Sequence, residues 1–152
     1  MAEIYSTGDN GAGQLGLGDT TDRDEFEQVG ILDTWEKITV GYQWVLALDE
    51  DGTIWAWGDD VYGTLGGGGN SSVPVQIGTG SDWVDIASTN ETAFAIKSDG
   101  TLYSWGYNSN YGMLGQGSFD VGYLYSPTQI GTDTDWESVC GDRGYHAFAI
   151  KS

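Results

Sequence analysis

The chain has 152 residues, of which 25 are glycine, and a formal charge of −18 with only five lysines and arginines. Nucleic-acid binding needs basic side chains against the phosphates, so this composition excludes it and also disfavours an anionic membrane surface as a partner. The sequence has no apolar run long enough to cross a bilayer, and its start does not resemble a signal peptide. We therefore expect a single domain over residues 1–152, cytoplasmic or associated with a virion.

Four motifs recur in the same order along the chain. They are a glycine-rich loop ending in Leu-Gly-x-Gly, a Trp-x-x-Ile/Val segment, a strand of small and apolar residues, and an Asp-Gly turn followed by an alternating strand. The loops lie at 8–18, 58–68 and 106–117, the tryptophans at 35, 83 and 136, the small-residue strands at 45–48, 93–96 and 147–150, and the turns at 51–52 and 99–100. Repetition at this spacing predicts three units, approximately 1–50, 51–98 and 99–152.

Each unit holds about four short stretches with the two-residue alternation of a strand, separated by Gly, Asn, Asp and Pro. The many aromatic residues and glycines also favour short strands over helices. Four strands per unit of about 50 residues are typical of a β-propeller, in which each four-stranded sheet is one blade. The predicted fold class is therefore all-β, with three propeller-type blades.

The Leu-Gly-x-Gly loop, the small-residue strand and the Asp-Gly hairpin ending in Trp-Gly together resemble the repeats of the regulator of chromosome condensation family. The resemblance covers nearly the whole chain and implies blades of a propeller that usually has seven. The family's histidine before the strand's alanine is kept only at His146, where the other repeats have Trp44 and Thr92. Three repeats cannot close a seven-bladed ring, and the basic tail needed for chromatin contacts is absent. We do not transfer nucleotide-exchange activity or chromatin binding to this chain.

Three blades leave two broad apolar faces in water, and these need covering. Met1 aligns with Asp99, so the chain is cut at a hairpin turn. One strand stays open at each end: Ile4, Tyr5 and Ser6, and Phe148, Ala149 and Ile150. We expect these strands to act as a latch in a head-to-tail homo-oligomer, with a six-bladed dimer favoured. An open arc docked to another protein, or a fragment of a longer chain, are the alternatives.

The sequence offers no catalytic constellation, since it has one histidine and one cysteine, so we predict no enzyme activity, no cofactor and no metal site. Asp49-Glu50-Asp51-Gly52 lacks the spacing of a calcium loop and predicts a hairpin turn instead. Cys140 lies in an apolar-alternating stretch and is expected to be a small core residue.

Binding residues are sought where the repeats differ, and aromatic residues and arginine dominate such surfaces. The candidates are Tyr42, Trp44, Tyr123, Tyr125, Arg143, Tyr145 and His146. They predict a non-enzymatic protein-interaction or structural module, for example part of a larger assembly such as a phage particle. The alternative is a carbohydrate-binding propeller, because aromatic loops beside Asp and Asn also suit sugars.

Overall fold

A computed structural model describes residues 2–152, and the alignment of Met1 with Asp99 lies outside that range. All regular elements of the described residues are strands. In chain order they are β1 (Tyr5–Gly8), β2 (Arg23–Gln28), β3 (Trp35–Val40), β4 (Trp44–Asp49), β5 (Ile54–Gly58), β6 (Ser71–Gln76), β7 (Trp83–Ser88), β8 (Thr92–Lys97), β9 (Leu102–Tyr107), β10 (Tyr123–Gln129), β11 (Trp136–Gly141) and β12 (Ala147–Lys151).

The strands form two complete antiparallel blades and two half-blades. The complete blades have the orders β3-β4-β5-β6 and β7-β8-β9-β10, whereas β1 pairs only with β2 and β11 only with β12. Strand β7 contacts both β3 and β11, so these three are the inner strands of successive blades. Each complete blade takes its two inner strands from one sequence repeat and its two outer strands from the next.

The turn between β4 and β5 shows why each repeat boundary falls inside a hairpin. The buried carboxylate of Asp49 accepts hydrogen bonds from the backbone N–H and the hydroxyl of Thr53, at 2.9 and 2.8 Å. Gly52 follows with a φ of 72°, which glycine adopts without strain. The hairpin turn predicted from Asp49-Glu50-Asp51-Gly52 is thus confirmed, and the Asp49 carboxylate serves the turn itself.

The main core lies between the two complete blades. It joins Leu46, Leu48 and Ile54 of the first blade to Ile86 and Trp105 of the second, all of them almost fully buried. Burying large apolar side chains contributes roughly 1.5–3 kcal/mol each. The faces between blades are therefore the main source of stability, and an uncovered face is costly.

The glycine-rich loops are closed by side chains from inside the repeat. The side-chain oxygens of Asn10, Asp60 and Asn108 accept hydrogen bonds from the backbone N–H of the leucine in each Leu-Gly-x-Gly segment, at 2.9, 2.7 and 2.9 Å. Trp105 at the end of β9 donates its indole N–H to the Thr64 carbonyl of the preceding loop at 2.8 Å. These loops thus position one blade against the next.

Candidate interaction surfaces

The first candidate surface is a groove between the half-blade β1–β2 and the inner strand β3. Its volume is about 470 Å³, and its apolar wall includes Ile4, Phe26, Ile38 and Val40. Ile38 is 46% exposed, whereas Ile86, at the same place in the next repeat, is 1% exposed. The groove therefore lies where the two inner strands of a complete blade would lie.

The second candidate surface is the free edge and outer face of the half-blade β11–β12. Phe148 and Ile150 are 66% and 62% exposed, but their counterparts Phe94 and Ile96 are 4% and 1% exposed. A cavity of about 370 Å³ beside them is lined by residues such as Trp136. This cavity lies where the two outer strands of a complete blade would lie.

The predicted latch residues divide between these two surfaces. Ile4, Tyr5 and Ser6 line the groove, and Phe148 and Ala149 line the cavity. Ile4 is buried in a cluster with Val29, Trp35 and Trp57, whereas Tyr5 stays half exposed. Ile150 follows Phe148 and Ala149 on β12 and is exposed. The structure does not pair β1 with β12 inside one chain.

The sheet order places the variable loops at one end of the blades. Because antiparallel strands alternate in direction, the loops after β3, β5, β7, β9 and β11 share an edge, which we call the loop face. Tyr42, Tyr145 and His146 lie there and are exposed, as is Arg143. Tyr123 begins β10 at this edge, with Tyr125 two residues along the strand.

Trp44 does not belong to the exposed part of this surface. It begins β4, is 2% exposed and donates its indole N–H to the Asn90 carbonyl oxygen at 2.8 Å. The segment after the β7 strand therefore covers it, and Trp44 ties two blades together. Trp44 also lines the groove beside β1, so its contact with a partner stays a prediction.

Cys140 also differs from its expected place. It lies on β11 and is exposed, because within residues 2–152 no further blade packs on that side. Its counterpart Ala87 is buried against Val139 of the following repeat. The core position predicted from the alternation is therefore wrong for the described chain.

A run of tyrosines crosses the junction between the two complete blades on the loop face. Tyr62 stacks on Tyr107 with a centroid distance of 5.9 Å, Tyr107 lies 4.7 Å from Tyr123, and Tyr123 lies 5.8 Å from Tyr125. We call these four side chains the tyrosine stack. Partial burial raises the pKa of Tyr62, and the carboxylate of Glu91 beside it raises the pKa further. Sequence reasoning found Tyr123 and Tyr125 but missed the other two.

The charges around these surfaces are largely acidic. Arg23 and the lysines Lys37, Lys97 and Lys151 each have a carboxylate partner. Among the described residues, Arg143 has no carboxylate within 4.0 Å. The loop face thus presents exposed rings on a chain with a net charge of −18, and Arg143 is a cation on that face.

Within residues 2–152, no group of three or more His, Cys, Asp or Glu side chains is arranged to hold a metal ion. The same part of the chain contains no helix long and apolar enough to span a membrane.

The blades and their shared loop edge define the class: the chain is built of β-propeller blades. The model of the regulator of chromosome condensation (RCC1) repeat matches residues 51–96 and 99–149, and a second model of that repeat matches 35–64 and 83–112. The chain belongs to the RCC1 repeat family, so the predicted family and fold class are confirmed.

The relatives described next each match this chain over only part of their own length. The mouse X-linked retinitis pigmentosa GTPase regulator is 44% identical over 66 residues, which are 41% of this chain and 7% of that protein. The structure of human WBSCR16 matches with a TM-score of 0.84 at 21% identity, over 98% of this chain and 40% of the other. Prp20p of Saccharomyces cerevisiae matches with a TM-score of 0.79 at 22% identity, over 92% and 38%. The chain thus spans less than half of each, and these two structures support the fold alone.

Proposed function

We propose that this chain is a non-enzymatic protein-interaction module whose first partner is a second copy of itself. The observation that carries the proposal is the contrast between equivalent residues. Phe94 and Ile96 are buried inside a complete blade, and Phe148 and Ile150 are exposed on a half-blade. Leaving two such side chains in water costs roughly 3–6 kcal/mol relative to burial.

The two open surfaces complement each other. The groove would accept two inner strands, which the half-blade β11–β12 provides, and the cavity would accept two outer strands, which β1–β2 provides. Two chains arranged head to tail would satisfy both surfaces and make six blades, which is within the usual range of four to eight. Further repeats of a longer chain, or another protein, are the competing occupants.

The test compares two aspartate variants by sedimentation velocity. Phe148→Asp places a charge on the open half-blade, and we expect it to abolish the dimer. Phe119→Asp is the matched control, since Phe119 is equally exposed but lies in the loop after β9. Equal sedimentation of both variants and the unmodified chain, all dimeric, would place the dimer contact elsewhere.

The loop face is proposed as a second interaction surface, for a basic segment of another protein. The tyrosine stack, the nearby Glu91 and the overall charge of −18 support this choice. The solved structure of the related Prp20p is described together with its binding properties to Gsp1p and histones. We expect an arginine-rich peptide to bind more tightly than a peptide of serine and glycine. The double variant Tyr123→Ala/Tyr125→Ala should remove that difference.

A carbohydrate-binding role remains the alternative because the nearly parallel rings of Tyr123 and Tyr125 are exposed. A glycan array separates the two: retention that is lost in Tyr123→Ala/Tyr125→Ala would favour the sugar, and a silent array with peptide binding would favour the protein. A place in a larger assembly such as a phage particle stays a prediction from the sequence.

A further inference from the structure

We infer that strand β12 of one copy pairs with β1 of the next in one defined register, so that a mixed blade forms with the order β11-β12-β1-β2. This inference rests on the proposed self-association and specifies its geometry. It follows from the two complete blades, in which the strands equivalent to β12 and β1 are already paired.

The register is the same in both complete blades. In the first, Leu48 pairs with Ile54 and Leu46 with Ala56. In the second, the equivalent pairs are Ile96 with Leu102 and Phe94 with Ser104. Aligning the third repeat and the start of the chain with these gives the pairs Ile150 with Ile4, Ala149 with Tyr5, Phe148 with Ser6, and Ala147 with Thr7.

Side-chain size is complementary at the position of Phe148. A large residue on the second strand faces a small one on the third, as Leu46 faces Ala56 and Phe94 faces Ser104. Phe148 facing Ser6 continues that pattern. Ser6 also makes a hydrogen bond equivalent to one made by Ser104. The Ser6 hydroxyl donates to the Leu15 carbonyl at 2.8 Å, and the Ser104 hydroxyl donates to the Leu114 carbonyl at 2.7 Å.

An aromatic cluster in the second complete blade shows what Tyr5 would meet. Trp83 and Tyr103 pack edge to face with centroids 5.1 Å apart, and the Lys97 ammonium lies 4.9 and 5.4 Å from the two rings. In the half-blade, the Lys151 ammonium lies 5.4 Å from the ring of Trp136, but the single chain has no residue beside them equivalent to Tyr103. Tyr5 occupies that position in the repeat and is half exposed in the single chain.

Backbone hydrogen bonds place the residues before β1 in the position required for pairing with β12. The backbone N–H of Trp83 donates to the Gly52 carbonyl and that of Trp136 to Gly100, each at 3.1 Å. The backbone N–H of Trp35 donates in the same way to the Ala2 carbonyl at 3.1 Å. Ala2 is therefore placed before β1 as Gly52 and Gly100 are placed before β5 and β9 of the complete blades. Strand β1 is therefore preorganised for pairing, which lowers the entropy cost of association.

A disulfide test reads the register directly. Leu46–Ala56 and Phe94–Ser104 are non-hydrogen-bonded pairs, because the flanking N–H groups of Asp49 and Lys97 donate to Thr53 and Thr101 across the hairpins. Such pairs bring the Cβ atoms within about 4.5–5.5 Å, close to disulfide geometry. We expect chains with Ser6→Cys and Phe148→Cys, in a Cys140→Ser background, to form covalent dimers under mild oxidation at high concentration.

The matched control moves one cysteine by a single residue, to Ala147→Cys with Ser6→Cys, where the two side chains point to opposite faces of the sheet. We expect its cross-linking to be at least tenfold slower. Equal or faster cross-linking of this control would overturn the register. So would the absence of cross-links in the Ser6→Cys/Phe148→Cys chain while that chain, kept reduced, has the mass of a dimer. An unmodified chain that is monomeric overturns the proposed self-association itself, so the two failures are distinguishable.

The aromatic cluster supplies an independent test. We expect Tyr5→Ala to weaken the dimer roughly tenfold, whereas Tyr5→Phe keeps the ring and changes the dissociation constant less than threefold. Tyr125→Ala, on the outer strand of a complete blade, is the control and should leave the dimer unchanged. Equal dissociation constants for Tyr5→Ala and Tyr125→Ala would exclude Tyr5 from the interface.

Discussion

Phe94 and Phe148 occupy the same position of successive repeats, yet Phe94 is 4% exposed and Phe148 is 66% exposed. The difference comes from the strand beside each residue and from the neighbouring blade, since Phe94 also packs in a cluster with Val139 of β11. Phe94 pairs with Ser104 of β9, and Phe148 has no neighbour on that side within the described residues. The comparison of Phe94 with Phe148 thus shows which contacts a complete blade provides and a half-blade lacks.

The thiol of Cys140 should report the covering of this half-blade. Cys140 is exposed in the single chain, and its counterpart Ala87 is buried where the next blade packs. We expect its reaction with a disulfide reagent to slow at least tenfold as the protein concentration passes the dimer dissociation constant. The Phe148→Asp variant should stay reactive at all concentrations. A rate independent of concentration in the unmodified chain would argue against a covered β11.

The dimer should strengthen as salt is added. Each chain carries a charge of −18, so two copies repel one another, and added ions screen this repulsion over about 8–10 Å at 0.10–0.15 M. We expect the dissociation constant to fall several-fold between 20 and 300 mM NaCl, measured by sedimentation equilibrium. A dimer that weakens with salt would instead indicate ion pairs across the contact.

Gly100 should tolerate no side chain. It has a φ of 78°, and a Cβ there would collide with the carbonyl oxygen of Thr134 in the next segment. We expect Gly100→Ala to lower the free energy of unfolding by more than about 1 kcal/mol in urea titrations. The control is Gly68→Ala, since Gly68 has no positive φ and no described atom lies within 4 Å of its Cβ position. Equal losses in both variants would refute the steric explanation.

The turn at Asp99 should make stability depend on pH at the acid end. The hydroxyl and the backbone N–H of Thr101 donate to its carboxylate and hold its pKa below the usual 3.8. Because the folded-state pKa is lowered, the ionised group stabilises the fold above about pH 3.8, and this contribution is lost as the pH falls through the folded-state value. Asp99→Asn should therefore be less stable than the unmodified chain at pH 6, with a smaller difference at pH 3. A difference that is constant with pH would exclude the charge.

Local patterns predicted much of the fold. The two-residue alternation of 101–105 and the Asp-Gly turn before it were enough to place β9, because both depend on neighbouring residues only. The features that prediction missed depend on contacts between blades. The burial of Trp44 was missed because the Asn90 carbonyl that accepts its indole N–H lies 46 residues along the chain. Cys140 alternates like a core residue, but its exposure depends on a blade beyond β11.

The tyrosine stack could not be predicted for the same reason. Tyr62 and Tyr107 belong to loops of different blades and meet only when those blades pack together. Tyr123 and Tyr125 were found because both lie in the variable segment 118–126 that follows the third Leu-Gly-x-Gly loop, where exposed aromatic residues indicate a docking patch.

The molar mass of the unmodified chain in solution tests the central claim most directly. Light scattering coupled to size exclusion, over a range of concentrations, should give twice the chain mass of 16.3 kDa. A mass of 16.3 kDa at every concentration up to the highest measured would contradict self-association and leave the open half-blades to another partner.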